Sequence, residues 1–265
     1  MKTKSLIMVL LPTFLPMLVS HKALAGHVNC HGTSILHFME QTAMDGSDVE
    51  SNAVGSITLK QNEQGHADNQ QLTIKATSLQ SNSTYELLAS VRSDTNLTEV
   101  ATFTTDAHGD VQLTYLKKNN GHGHGHGGGT TLPDALNPIS DILSLAVVNN
   151  TTQTVLSVDL TAPDHLQYLI KRCLNNDAVE ATAAASLRIH ASENFVQFRM
   201  EASGLTSNST YFLSINDAIA TSTTADSNGD LKFDSLPSGA PAVLNIDSLA
   251  IQNSNSNNVL STTLP

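Results

Sequence analysis

The stretch LQSNSTY at positions 79–85 returns as LTSNSTY at positions 205–211. Blocks that match in unbroken order indicate an internal duplication. Repeats of a solenoid are about 20–50 residues long, so two copies of this greater length predict two domains. The other matching blocks are DAHGDV (106–111) with DSNGDL (226–231), LP (132–133) with LP (236–237), SLAV (144–147) with SLAI (248–251), and VLS (155–157) with VLS (259–261).

Both copies carry the sequence pattern of β-strands. Runs such as 195–200 alternate apolar with polar residues, which is typical of a strand with one buried face. The sequences HGD at 108–110 and NGD at 228–230 predict hairpin turns between such runs. We therefore predict an all-β chain of two tandem antiparallel β-sandwich domains of the immunoglobulin-like type. The predicted strands lie near 34–42, 55–61, 70–77, 84–91, 99–104, 110–116, 141–148, 154–160, 166–173, 184–190, 194–202, 210–215, 218–224, 230–235, 243–251 and 258–264.

Ala162, Pro163 and Asp164 form the predicted joint between a first domain, 26–162, and a second, 163–265. The joint is short, so we expect the two domains to keep a restricted orientation. The first copy is longer than the second around residues 92–97 and again between residues 116 and 132. The longer of these insertions is a loop at 117–131, rich in histidine and glycine. Because the second copy closes without an equivalent, we expect the fold not to need this loop.

The first 25 residues have the pattern of a secretory signal peptide. Lys2 and Lys4 precede an apolar run at 6–19, and Ala23 and Ala25 provide small residues before a cleavage site. The alternative is an uncleaved membrane anchor, for which the run is too short to cross a bilayer as a helix. We therefore expect a secreted or periplasmic protein with no membrane insertion after cleavage.

The net charge limits the classes of possible partner, and the cysteine content bears on the redox state of the protein after export. The chain has a formal net charge of −11, so it lacks the basic footprint that nucleic acid would require. Export allows a disulfide to persist, and the chain has two cysteines, Cys30 and Cys173. A bridge between them is possible, and two free thiols are the alternative, because sequence does not give the distance between them.

The tandem copies, the glycine-rich loop before Leu132 and the junction at 162–172 together resemble exported bacterial proteins built from tandem immunoglobulin-like sandwiches. This resemblance covers nearly the whole mature chain. It implies the fold and export, and it implies no activity. The copies also resemble chordin-type repeats, which are β-sandwiches. The paired histidines of those repeats are absent here, so this second resemblance transfers no function.

Two segments carry candidate metal ligands. His122, His124 and His126 alternate with glycine, and imidazole nitrogens bind Cu²⁺, Ni²⁺ and Zn²⁺. Glycine lets the three rings converge, but ordering a flexible loop opposes binding, so a hydrophilic loop without a metal is the alternative. Cleavage after Ala25 exposes Gly26 and His27, whose amine and imidazole form a second candidate site. Its alternative is a frayed terminus.

No catalytic motif is present in the sequence. It contains no Gly-x-Ser-x-Gly, no His-Glu-x-x-His and no phosphate-binding glycine loop. We therefore expect a protein that is not an enzyme and requires no cofactor. The first hypothesis is a secreted structural, adhesion or binding protein with an unknown protein or surface partner. The alternative is an extracellular or periplasmic transition-metal-binding protein that uses the histidine-glycine loop.

Overall fold

The computed structural model describes residues 34–65, 67–117, 129–161 and 164–264. In these residues the regular structure consists of β-strands and short 3-10 turns, so the all-β prediction is confirmed. The 3-10 turns are Asp48–Glu50, Asp134–Leu136, Ile139–Asp141 and Val243–Asn245. The strands are β1 (Ile35–Gly46), β2 (Val54–Gln64), β3 (Ala67–Thr77), β4 (Thr84–Val91), β5 (Asp94–Thr104), β6 (Val111–Lys117), β7 (Thr130–Thr131), β8 (Ile142–Asn149), β9 (Thr154–Asp159), β10 (His165–Cys173), β11 (Asn175–Asn176), β12 (Ala184–Ser192), β13 (Phe195–Ser203), β14 (Thr210–Ile215), β15 (Ala218–Thr224), β16 (Leu231–Phe233), β17 (Ser248–Gln252) and β18 (Asn258–Thr263).

Most predicted strands coincide with observed ones to within a few residues. The largest differences are at β5, which begins five residues earlier than predicted, at Asp94, and at β17, which begins at Ser248 instead of 243. Residues Val243–Asn245 form a 3-10 turn there, because Pro241 precedes them and disfavours strand pairing. The sequence pattern did not reveal β7 and β11, which have two residues each. The proposed signal peptide lies outside the described residues.

The two copies have the same strand order. In the first copy one sheet runs β1-β2-β3-β6-β7, and β5-β4-β8-β9 forms a second layer that is joined to the end of β1. In the second copy one sheet runs β10-β12-β13-β16, and a separate sheet runs β15-β14-β17-β18-β11. Alternate residues of these strands are buried, as in β2 and β3, and the buried apolar side chains of both copies form one contiguous cluster.

A single continuous sheet joins the copies, because β1 pairs antiparallel with β10. Gly46 and Asn176 are counterparts, since they face the equivalent leucines Leu156 and Leu260. Counting back along both strands makes Phe38 and Tyr168 counterparts, and these two residues face each other. The copies therefore meet about a local twofold axis, in the self-complementary manner of a symmetric dimer. We call the run β16-β13-β12-β10-β1-β2-β3-β6-β7 the shared sheet.

Polar contacts also link the copies. Arg92, at the tip of the β4–β5 hairpin, reaches Asp247 of the second copy, with Nη1 2.6 Å from Oδ1. This hairpin is the first of the two places where the first copy is longer, and its extra length carries Arg92 across. Next to the joint, the Asp164 backbone N–H donates to Thr42 Oγ1 at 2.7 Å. Exposed ion pairs contribute about 0–1 kcal/mol, so strand pairing and the common core dominate the association.

The repeated heptapeptide forms the same hydrogen-bonded corner in each copy. The Tyr85 hydroxyl donates to Glu50 Oε1 at 2.7 Å and accepts from the Gln80 backbone N–H at 2.9 Å. Burial and the bond to Glu50 raise the pKa of Tyr85 to about 12. In the second copy the Tyr211 hydroxyl donates to Glu180 Oε1 at 2.6 Å. The sequence repeat therefore marks a structural feature of the fold.

We expect Tyr85→Phe and Tyr211→Phe each to lower the free energy of unfolding by about 1–3 kcal/mol, because each leaves a carboxylate without a hydroxyl donor. Tyr115→Phe is the matched control, since no hydrogen bond of its hydroxyl occurs within the described residues. Urea unfolding of the three variants measures the difference. Equal losses in all three would contradict a specific role for the corner.

The turns at 108–110 and 228–230 are not hairpin turns, so that prediction is wrong. β5 pairs with β4, whereas β6 pairs with β3, so the first turn crosses between two layers. Gly109 has φ +80°, and a Cβ at this position would lie 1.9 Å from the Leu79 carbonyl oxygen, which is why glycine is required. Asp106 Oδ1 accepts the backbone N–H groups of His108 and Asp110, and these bonds lower the pKa of Asp106.

Candidate functional site

The histidines of the predicted metal sites, His122, His124, His126 and His27, lie outside the described residues together with Gly26, so both metal sites stay predictions. The structure does describe the base of the histidine-glycine loop. There β6 and β7 pair in parallel, with Leu116 opposite Thr131, so the two ends of the loop are adjacent. Elsewhere, across the described ranges, no group of three or more His, Cys, Asp or Glu side chains is placed to hold a metal ion.

Cys173 is the last residue of β10 and is half-buried. Cys30 lies outside the described residues, so the disulfide between the two stays a prediction. Such a bridge would hold the segment before β1 near the end of β10.

Glu40 is a buried acid in the middle of β1. It is 2% exposed, and on the inner face of the strand it follows Leu36 and Phe38 at alternate positions. Oε1 has no hydrogen-bond partner among the described residues. Burial, and then the nearby charge of Asp159, raise the pKa of Glu40 to about 8. Glu40 faces the core, on the side of β1 opposite to the outer face of the shared sheet, so we assign it no contact with a ligand.

Asp159 keeps its charge beside Glu40. The Thr161 hydroxyl and backbone N–H donate to Asp159 Oδ1 at 2.7 and 2.8 Å. These bonds lower the pKa of Asp159. The proton that the two acids share at neutral pH therefore resides on Glu40.

The outer face of the shared sheet, on the side away from the core, carries a row of cations. Lys171 on β10 faces Arg188 on β12, and Arg188 faces Arg199 on β13. All three side chains are exposed and alternate with buried neighbours. Adjacent strands lie about 4.8 Å apart, so the three cations follow one another across the sheet at that spacing. We call these three residues the cationic row.

The cationic row lines a cleft of about 530 Å³, the cationic cleft. On the first-copy side it is lined by Ile35, which faces Lys171 across the β1–β10 pair, and by Gln64 of β2. Both copies therefore contribute to it, and it exists because β1 pairs with β10. The remaining lining residues are Arg172, Cys173, Ser186, Leu187 and Glu201.

The cations of the cleft differ in their partners. Arg172 Nη2 lies 3.2 Å from Glu63 Oε2, and Arg199 pairs with Glu201 on its own strand. Lys171 and Arg188 have no ion-pair partner among the described residues. Two positive charges are thus unmatched in a chain whose net charge is strongly negative.

Comparison with protein-family models, curated proteins and solved structures gave no significant match. Within the described ranges, no helix has the length and apolar character needed to cross a membrane.

Sequence reasoning missed both Glu40 and the cationic row. Alternation along β1 places Glu40 on the same side as Leu36 and Phe38, so strand parity was a usable signal. The row had no such signal. Its members lie on three strands, and the alternation of a strand gives its buried face but not its partner or register.

Proposed function

We propose that the chain is an exported, non-enzymatic binding protein of two tandem immunoglobulin-like sandwiches whose binding surface is the outer face of the shared sheet. The observation that carries this proposal is the pairing of β1 with β10, which turns two small faces into one continuous face. A face built on paired strands is rigid, so little conformational entropy is lost when a partner binds to it.

The composition of this face supports the proposal. Exposed or half-exposed polar side chains occur along it in both copies, among them Gln41, Thr73, His190 and Gln197. A non-obligate interface is about as polar as the rest of a protein surface, so this composition is compatible with reversible association with an external partner. The cationic cleft lies where the two copies meet, so it is part of the same surface.

The test is binding of the fluorescently labelled mature chain to the surface of the cells that produce it. We expect Gln41→Trp and Gln197→Trp, one in each half of the outer face, to reduce binding. Thr102→Trp is the matched control, because Thr102 is exposed on β5 in the other layer of the first copy. Absence of surface binding, or equal loss in the control, would overturn the proposal.

A second candidate function is transition-metal binding by the histidine-glycine loop, and the pairing of β6 with β7 favours it. The two described ends of the loop are adjacent, so the segment that carries the three histidines has both of its ends fixed at one place on the sheet. This closure lowers the entropy that must be lost when imidazoles converge on Cu²⁺, Ni²⁺ or Zn²⁺.

Deletion of residues 118–128 should change the free energy of unfolding by less than about 1 kcal/mol, because surface-loop length has little effect on closure entropy. Lys117 must be retained, since its Nζ donates to Asp68 Oδ2 at 2.7 Å. The same deletion should remove most metal binding, measured by calorimetry. Binding should weaken as the pH falls through about 6.5, because only neutral imidazole coordinates.

Replacing the three histidines by serine provides the control that preserves loop length. If the deletion, the serine variant and the unaltered chain bind metal with equal affinity, the loop is not the site. Gly26 and His27 then become the remaining candidate.

A further inference from the structure

We propose that the cationic cleft binds a small organic oxyanion, a carboxylate or a phosphate or sulfate monoester on an apolar body. The proposal rests on the proposed function, because it names the ligand class for part of the outer face. Four of the thirteen lysine and arginine residues of this acidic chain line the one cleft, and the side chains of Lys171, Arg188 and Arg199 point outward there. Like charges that face each other across strands destabilise a sheet, so a bound anion would relieve an unfavourable arrangement.

The number of unmatched charges sets the charge of the ligand. Glu63 and Glu201 already pair with Arg172 and Arg199, which leaves Lys171 and Arg188 for the ligand. Lys171 and Arg188 lie directly opposite each other on neighbouring strands, so one oxyanion group can contact both. A ligand group with one or two negative charges would neutralise these two side chains.

The donor geometry of the cleft favours an oxyanion over a halide ion. Guanidinium groups present parallel N–H donors that match two oxygens of a carboxylate, phosphate or sulfate, and the lysine ammonium adds a mobile point charge. The Ser186 hydroxyl and the Gln64 amide supply further hydrogen-bonding groups in the lining. Carboxylate and phosphoryl oxygens share this chemistry, so the test must distinguish them.

The dimensions of the cleft favour a small ligand. A volume of about 530 Å³ falls within the range of roughly 300–1,000 Å³ that is typical of small-molecule sites. Ile35 is half-buried and lines the cleft beside the cations, so an apolar body attached to the oxyanion gains contact area. A long polyanion would meet the overall negative charge of the chain beyond the cleft, and this repulsion disfavours it.

The experiment is titration of the full mature chain with phenyl phosphate, benzoate and inorganic phosphate, followed by calorimetry and by NMR. We expect phenyl phosphate or benzoate to bind more tightly than inorganic phosphate, and binding to weaken with added salt. Benzyl alcohol, which lacks the charge, should not bind. Stronger binding of phenyl phosphate or of benzoate identifies the phosphoryl or the carboxylate source.

The variants Lys171→Gln and Arg188→Gln should each weaken binding about tenfold or more, and the double variant should abolish it. Lys75→Gln is the matched control, because it removes the same charge from an exposed position of the shared sheet that does not line the cationic cleft. Arg188→Lys keeps the charge but loses the planar pair of donors, so it should show an intermediate loss. Thermal unfolding of each variant confirms that it is folded.

Three results would overturn this proposal: no binding of any small oxyanion tighter than about 10 mM, equal affinity in the double variant and Lys75→Gln, or binding of heparin fragments alone. The two proposals fail separately. Loss of cell-surface binding in Gln41→Trp and Gln197→Trp without oxyanion binding would retain the proposed function and remove this ligand. Oxyanion binding without cell-surface binding would retain this ligand and remove the proposed function.

Discussion

Replacing Glu40 by glutamine should flatten the pH dependence of stability between about pH 4.5 and pH 8. The pKa of Glu40 is raised from 4.5 to about 8 in the folded chain, chiefly by burial and then by the charge of Asp159. Below pH 4.5 the carboxyl group is protonated in both folded and unfolded chains, so it adds no pH dependence. As the pH rises from there, the unfolded chain releases the proton and the folded chain retains it.

The free energy of unfolding therefore falls through this window and levels off above about pH 8. The shift in pKa corresponds to a total loss on the order of 5 kcal/mol. Urea unfolding of Glu40→Gln and of the unaltered chain at several pH values measures the effect. Glu99→Gln is the matched control, because Glu99 is exposed on β5. If the slope persists in Glu40→Gln, other groups cause it.

Glu40→Ile tests the same site by comparison with the second copy. The counterpart of Glu40, two residues along from the Phe38–Tyr168 pair, is Ile170, which is fully buried. An apolar side chain is thus accommodated at this position of the fold. We expect Glu40→Ile to be more stable than the unaltered chain at pH 8, and a loss of stability there would show that the carboxyl group has a structural partner.

Cleaving the chain at the joint should leave the two halves associated. A protease site placed at 162–163 lies between β9 and β10, so cleavage breaks no strand. The halves share the β1–β10 pairing and the common core, and separating them would expose apolar side chains of both, which requires many kcal/mol. We expect the cleaved protein to elute from gel filtration at the size of the intact chain.

The variant Arg92→Ala with Arg172→Ala provides the comparison, since it removes the ion pairs to Asp247 and Glu63. It should weaken the association much less than loss of the strand pairing would, because two partly exposed ion pairs contribute little beside a shared core. If the cleaved halves elute separately as folded units, the joint and not the paired strands holds the copies together. That result would also remove the continuous outer face on which the proposed binding surface depends.

Local features of the fold were predictable from the sequence. Alternation located the strands, and the matching blocks revealed the duplication, because these signals lie within short stretches of chain. The corner at Tyr85 was visible as a repeated motif, but its partner Glu50 was not, since that contact joins residues 35 positions apart. The hairpin interpretation of 108–110 was wrong because turn residues do not show whether the next strand pairs with the last.

The relation between the copies was not predictable by the same means. Pairing of β1 with β10 joins the equivalent first strands of the two copies, and its register places Phe38 opposite Tyr168. The cationic cleft depends on that register, because Ile35 lies beside Lys171 only when the copies meet in this way. A site that is formed by residues of both copies leaves no short sequence motif in either copy.

The ends of the shared sheet have a consequence for self-assembly. Within the described ranges the sheet ends at β16 and β7, which have three and two residues. A long exposed edge strand offers unpaired backbone groups to other chains, and very short edge strands remove that template. Duplication of a sheet doubles its number of edges, and here two of these edges, β1 and β10, cover each other. Within the described ranges, strand addition to the shared sheet is therefore limited to the parts of β13 and β6 that β16 and β7 leave unpaired, among them residues 195–199.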